Sequence, residues 1–334
     1  MHNKDKRVLV TGGAGYVGAM LVPKLLQEGY KVTVLDTFWF WNSPDDFARP
    51  LKGDLRLIQG DLRNSSDILS ALQDVESVIH LACISNDPSS DLDPAFTHAV
   101  NYGGSITMID LAKAAGIKRF IYASSSSVYG IKKEPKVTED LPLEPLTQYS
   151  QLKVEVEHYL LHRLDENFQG VILRPSTVCG YSSRQRLDLV VNLLTNSALN
   201  KGKIKVMGGT QLRPNIHMKD MVRLYEFLLT IPREKINKKI YNAGYENLSV
   251  LQIAQLVQKV VGKVEIEIEP SNDLRSYQVC SEKIKNELGF EVQLGVEEAI
   301  EELKKAFAEG KIPHADEEKY HNVKRMKSVL LERR

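Results

Sequence analysis

The chain has 334 residues, enough for one large α/β domain and a smaller companion lobe. Lys and Arg total 44 against 43 Asp and Glu, a net charge of +1, so nothing favours nucleic acid or an anionic membrane as partner. No apolar run reaches the ~18 residues that span a bilayer, and Met1-His2-Asn3-Lys4-Asp5-Lys6 lacks a signal-peptide core; a cytoplasmic protein is expected.

The first element is a β-branched run, Arg7 to Thr11, suited to a buried parallel strand. Gly12-Gly13-Ala14-Gly15-Tyr16-Val17-Gly18 follows, and then a helix marked by Leu21, Leu25 and Leu26. Glycines are needed where backbone turns sharply, approaches a pyrophosphate, or lets a helix pack closely on a strand. The helix N-terminus adds free N–H groups and a partial positive charge. A second strand, Lys31 to Leu35, ends in Asp36, about twenty residues after the glycines, where a ribose-binding carboxylate belongs. Such a carboxylate accepts from a ribose 2′-hydroxyl and repels a 2′-phosphate. Thr37-Phe38-Trp39-Phe40-Trp41 brings no cation to offset it, so the expected cofactor is NAD(H) rather than NADP(H).

Alternation then continues. Leu55 to Ile58 is a strand leading into Gln59-Gly60-Asp61, and Asn64 caps a helix through Ile68 and Leu72. Ser77 to Ala82 is a strand, Pro94 to Ala115 a long helix, and Arg119 to Ser124 a strand that delivers the serines Ser124 to Ser127. Tyr149 opens a helix running to about Phe168, and Val171 to Leu173 leads into Arg174-Pro175. Six strands alternating with helices imply an α/β fold, a doubly wound parallel (Rossmann) sheet whose ligands bind beyond the strands' carboxyl ends. The glycine turn, Asp36, His80-Leu81-Ala82, the serines and Arg174-Pro175 are all expected in that crevice.

Tyr149 and Lys153 lie one helical turn apart on the same face. A phenol titrates near pH ~10; a lysine ammonium beside it favours the phenolate and draws its pKa toward neutrality. With a serine hydroxyl nearby, the set suits removing an alcohol's proton as its hydride leaves, or the reverse.

Later elements are a helix over Leu187–Leu199, strands at Lys203–Met207, Ile240–Ala243 and Val264–Glu269, and helices at Val250–Val261, Glu282–Leu288 and Val296–Ala308. Residues 1–175, with contributions from about 213–245, are expected to form the dinucleotide-binding domain. Residues 176–212 and 246–334 are expected to form a substrate-binding lobe. Val323, Met326, Val329 and Leu330 fall at helical spacing in the charged tail, which reads as a surface or dimer-contact helix. Cys83, Cys179 and Cys280 show no metal-ligand spacing and read as small buried residues, so no metal is expected.

Thr11 to Gly18, Gly60-Asp61-Leu62, His80-Leu81-Ala82, the Asn101 segment, Ser124 to Gly130, Tyr149-Ser150-Gln151-Leu152-Lys153 and Arg213-Pro214-Asn215-Ile216-His217 together carry a resemblance. The chain resembles the extended short-chain dehydrogenase/reductases, in their nucleotide-sugar epimerase and dehydratase branch. The resemblance implies a catalytic set of Ser125, Tyr149 and Lys153, with Lys153 also holding the nicotinamide ribose. It assigns cofactor contacts to Gly12, Gly15, Tyr16, Val17, Gly18, Asp36, Asp61, Leu62, Leu81, Ala82 and Asn101. Arg213 and Arg275 would grip the diphosphate of a nucleotide-diphosphate sugar, as guanidinium forks suit phosphate oxygens. The implied assembly is a homodimer, and the implied setting is polysaccharide biosynthesis.

Departures from the branch narrow the chemistry. Dehydratases carry an Asp-Glu pair after the active-site hydroxyl residue, and decarboxylating members keep a glutamate; here those positions are Ser126 and Ser127. Thr177 stands where many members have asparagine. The charged segments Ser85-Asn86-Asp87-Pro88 and Ser183 to Asp188 either read sugar hydroxyls, through residues such as Ser85 and Arg186, or are solvated loops. The expected reaction is oxidation of a ring hydroxyl, at C4, and return of the hydride to the other face. The alternatives are a net dehydrogenase and, in another class, a non-catalytic NAD sensor.

Overall fold

The computed structural model describes residues 1–270, 276 and 278–332. In chain order the strands are β1 Arg7–Thr11, β2 Lys31–Asp36, β3 Leu55–Gln59, β4 Val75–His80, β5 Arg119–Ala123 and β6 Gln169–Pro175. They continue as β7 Thr177–Cys179, β8 Lys203–Met207, β9 Leu212–His217, β10 Lys239–Ala243, β11 Glu246–Ser249 and β12 Glu265–Glu269.

Seven of these form one parallel sheet in the order β10-β6-β5-β4-β1-β2-β3. The chain builds outward from β1 to β3, then returns to the other side of β1 with β4. Reversal at that point leaves a crevice beyond the carboxyl ends of β1 and β4. Both sheet faces are covered, which is why Val8, Leu9 and Val10 are fully buried with no polar alternation. One face packs on the helices Gly18–Gln27 and Met218–Thr230, the other on Ser65–Ala71, Ser105–Ala114 and Gln148–Arg163.

Differences from the sequence reading have local causes. The helix expected from Pro94 to Ala115 runs as Pro94–His98, a π-helical stretch Ala99–Gly104, and Ser105–Ala114. The helix expected to reach Phe168 ends at Arg163, because Leu164 is extended and the Asp165 side chain captures the N–H groups of Asn167 and Phe168. The strands β7, β9 and β11 went unseen; they make a three-stranded sheet, and β8 pairs with β12 in a two-stranded one. A third apolar cluster, centred on Val191, Leu194, Ile253, Val257 and Ile300, fills this second lobe.

The tail forms the expected helix. Helix Asn322–Glu332 docks on its own chain, burying Met326 and Val329 against Ile84 and Val100. Of the cysteines, Cys179 is buried, whereas Cys83 and Cys280 are half-buried. Among the described residues no helix is long and apolar enough to cross a membrane.

Candidate active site

A cavity of about 550 Å³ opens at the carboxyl ends of β1, β2, β4 and β5. Its floor is the glycine turn. Gly12 holds φ at +69°, and a Cβ there would stand 2.8 Å from the Ala82 backbone. At Gly18 a Cβ would stand 2.6 Å from Gly13 Cα, so the helix could not approach the turn. Tyr16 lines the cavity and its hydroxyl donates to the Gly180 carbonyl (2.7 Å), tying the turn to the second lobe.

Asp36 sits at the end of β2 with its carboxylate fixed by two backbone donors, Ala14 N–H (2.9 Å) and Phe38 N–H (2.8 Å). Burial pushes its pKa up, and those N–H groups hold it back. Asp36→Ala is expected to weaken NAD(H) and to narrow its advantage over NADP(H), as read by calorimetric titration of both. Equal affinity of the unaltered chain for the two cofactors would remove Asp36 from that role.

The serine run is held from beneath. Ser124 Oγ donates to Glu157, whose carboxylate pairs with Arg174 (Nη2 to Oε2, 2.7 Å). Above it, Ser125 Oγ caps the 3₁₀ turn Ser126–Tyr129 by accepting from Ser127 N–H (3.1 Å). Tyr149 is placed by a capping box, Thr147 with Ser150, at the start of helix Gln148–Arg163. Thr147 in turn donates to Asp87 (2.6 Å).

The Tyr149 phenol differs from expectation in one respect. Burial pushes its pKa well above the usual value, with Cys83 and Asp87 adding to the rise; Arg186 and the Ser125 hydroxyl pull it down. Lys153, to which the sequence reading gave that lowering, donates from Nζ to the Ala123 carbonyl (2.7 Å) and stands 5.8 Å from the Tyr149 ring centroid. The charge acting on the phenol includes one from the second lobe.

Gly12, Gly15, Tyr16, Val17, Gly18, Asp36, Asp61, Leu62, Leu81 and Ala82 all line the cavity. So do Ser85, Ser125, Ser126, Tyr149, Lys153, Thr177, Arg186 and Arg213. Asn101 does not line it; its amide clamps the Ile84 backbone from behind (2.7 and 3.0 Å) and so shapes the wall. His80 and Arg174, expected in the crevice, are buried behind it. His80 bonds to Thr11 and Ser105, and that burial pushes its pKa down to about 3. Arg275 lies outside the described residues.

Two residues of the charged segment left undecided by the sequence, Arg184 and Asp188, and one it gave no sign of, Asn322, also line the cavity. Arg184, 4% exposed, lies 3.6 Å from the centre of the Phe40 ring, and burial lowers its pKa to about 9. Asp188 accepts from Arg186 Nε (2.5 Å), and Arg186 reaches Ser85 Oγ (3.5 Å). Asn322 enters from the tail. The charge of the Ser183–Asp188 segment was visible in the sequence; its burial was not. The Ser183–Asp188 segment is not a solvated loop.

A family model described as the NAD dependent epimerase/dehydratase family matches residues 8–244. The chain belongs to that family. It is an enzyme with NAD as cofactor, and the crevice fits the group: glycines where any Cβ would collide, and a carboxylate fixed at the end of β2. UDP-glucose 4-epimerase of Bacillus subtilis is 28% identical over 87% of this chain and 94% of its own. The dTDP-D-glucose 4,6-dehydratase of Mus musculus is also 28% identical, over 88% of this chain and 86% of its own. A solved structure of UDP-glucuronic acid 4-epimerase from Bacillus cereus, in complex with UDP-glucuronic acid and NAD, superposes with a TM-score of 0.80. It is 27% identical and covers 91% of this chain and 99% of that one.

Proposed function

We propose that the chain epimerises a nucleotide-diphosphate sugar at a ring carbon, C4, through a keto intermediate. One observation carries the reading. Ser125, Tyr149 and Lys153 meet in the cavity, while the two positions after Ser125 are serines rather than carboxylates. Eliminating water needs an acid and a base of its own; moving a hydride out and back does not. Relatives named for 4-epimerisation, and the neighbour solved with a uridine-linked sugar and NAD, support it.

In this reading Tyr149 takes the proton of the sugar hydroxyl and later returns it, with Ser125 steadying the same oxygen. Lys153 holds the cofactor's ribose and keeps the helix against Ala123. Bound NAD supplies the hydride acceptor and, when oxidised, a positive charge that favours the phenolate. Ser85, Ser126, Thr177 and Arg186 face the sugar, and Arg213 with Arg275 takes the diphosphate. Residues 1–175 with about 213–245 carry the cofactor, and the remainder closes over the substrate. The enzyme works as a cytoplasmic homodimer in polysaccharide assembly; light scattering and fractionation test those two points.

The chemistry is tested with sugar nucleotide deuterated at C4. The epimer is expected to keep its mass and its label, with no cofactor added once the enzyme is loaded. Stoichiometric reduced cofactor that carries the label, and a keto product that has lost it, would instead mean a dehydrogenase. A product lighter by water would overturn the reading of Ser126 and Ser127.

A further inference from the structure

Helix Asn322–Glu332 begins inside the crevice rather than on the surface. Asn322 is 4% exposed and ties together two loops from opposite sides of the cavity. Its backbone N–H donates to Asp188 (3.0 Å), its side-chain amide donates to Ser85 Oγ (3.0 Å), and its Oδ1 accepts from Arg184 Nη2 (2.6 Å). Both polar groups of the side chain have partners, buried Arg184 and half-buried Ser85, the arrangement that fixes position.

The rest of the segment anchors that residue at both ends. Upstream, Leu187 N–H donates to the Tyr320 carbonyl (2.8 Å). Downstream, Arg325 Nε donates to the Trp39 carbonyl (2.6 Å), while Met326 and Val329 pack on Ile84 and Val100. The segment therefore runs from the second lobe to the loop after Asp36. It crosses the crevice.

Arg184 is the group most dependent on it. Its guanidinium is buried, makes no ion pair with a carboxylate among the described residues, and leaves Nε without a hydrogen-bond partner. A buried cation in that state has donor capacity for an anionic ligand. Arg184 lies close enough to Asp36 to lower that carboxyl's pKa. On the reading that the crevice holds NAD, the anion it faces is the cofactor's diphosphate.

We propose that the C-terminal segment is a strap that retains the cofactor, and that Asn322 is the positioning residue through which it sets Arg184 and Ser85. An epimerase regenerates its NAD each turn and has no need to release it, so a covalently continuous strap is compatible with turnover.

The test is NAD retention, measured as cofactor per chain after gel filtration and as the rate at which it leaves. Asn322→Ala is expected to release NAD about ten-fold faster or more, the scale of one lost hydrogen bond to a charged group. Excess NAD should refill the crevice, but kcat should stay below that of the unaltered chain because Ser85 has lost its donor. Ser85→Ala removes the other partner and leaves Asn322 Oδ1 on Arg184; it should retain NAD while kcat falls. Met326→Lys, which undocks the helix from Ile84 and Val100 while Asn322 and Arg184 are unaltered, should leak NAD as Asn322→Ala does. Retention by Asn322→Ala and Met326→Lys equal to that of the unaltered chain would overturn the strap, with the epimerase reading intact. Equal leakage from Ser85→Ala and Asn322→Ala would overturn the link through Arg184. An unaltered chain that binds no NAD would overturn both the strap and the cofactor reading.

Discussion

Tyr149→Phe is expected to lower kcat by roughly 10²-fold or more, with NAD retention and melting temperature unchanged. The substitution keeps the ring that packs in the crevice and removes only the hydroxyl whose proton moves. Because the lost interaction belongs to the transition state, kcat and kcat/KM should fall together. The pH profile supplies a second readout. Burial first, then Cys83 and Asp87, raise the phenol's pKa, and Arg186 and Ser125 lower it. A base with a raised pKa is mostly protonated at neutral pH, so the oxidation step should speed up as pH rises toward that value. The residual rate of the phenylalanine variant should lack that rise. Near-normal kcat in Tyr149→Phe would take Tyr149 out of the proton transfer.

What the sequence made legible was local. The strand–glycine–helix–strand–Asp order fixes the floor of the crevice, because each residue is constrained by neighbours within one βαβ unit. Tyr149 and Lys153 were legible by type and spacing and Ser125 through the family resemblance, and all three line one cavity. The electrostatics were not. Helical spacing placed Lys153 beside the phenol correctly, yet it could not show that the Ala123 carbonyl holds its ammonium, or that Arg186 is among the charges lowering the phenol. Nor could periodicity find β7 and β11, which are three and four residues long. Asn322 was the least legible. Its partner Arg184 is 138 positions away, and nothing in the tail beyond its apolar spacing hinted that its first residue is buried in the site.

Glu157→Ala is expected to destabilise the fold by about 3–5 kcal/mol, a large share of a typical domain's stability. Glu157 and Arg174 are a buried pair, with side chains 1% and 3% exposed. Burial alone would lower the guanidinium's pKa, but hydrogen bonding and charge pairing with Glu157 more than offset it and the net direction is up. Deleting the carboxylate leaves a desolvated cation with only neutral partners, the Tyr129 hydroxyl (2.9 Å) and the Glu139 carbonyl (3.4 Å), among its hydrogen bonds. The loss also reaches the chemistry. Glu157 accepts from Ser124 Oγ, and Tyr129 passes the network on to Asn242 Oδ1 (2.7 Å), so the serine run and the turn beneath Ser125 lose their support together. Urea melts and kcat should therefore fall in the same variant, whereas Tyr149→Phe moves kcat alone. Replacing both partners, Glu157→Leu with Arg174→Met, should recover part of the stability, since apolar side chains of similar size carry no charge to strand. That double variant should not recover kcat, because Ser124 still lacks its acceptor. Unchanged urea midpoints in Glu157→Ala would mean that water reaches Arg174, and the buried network would then not be what holds the serines in place.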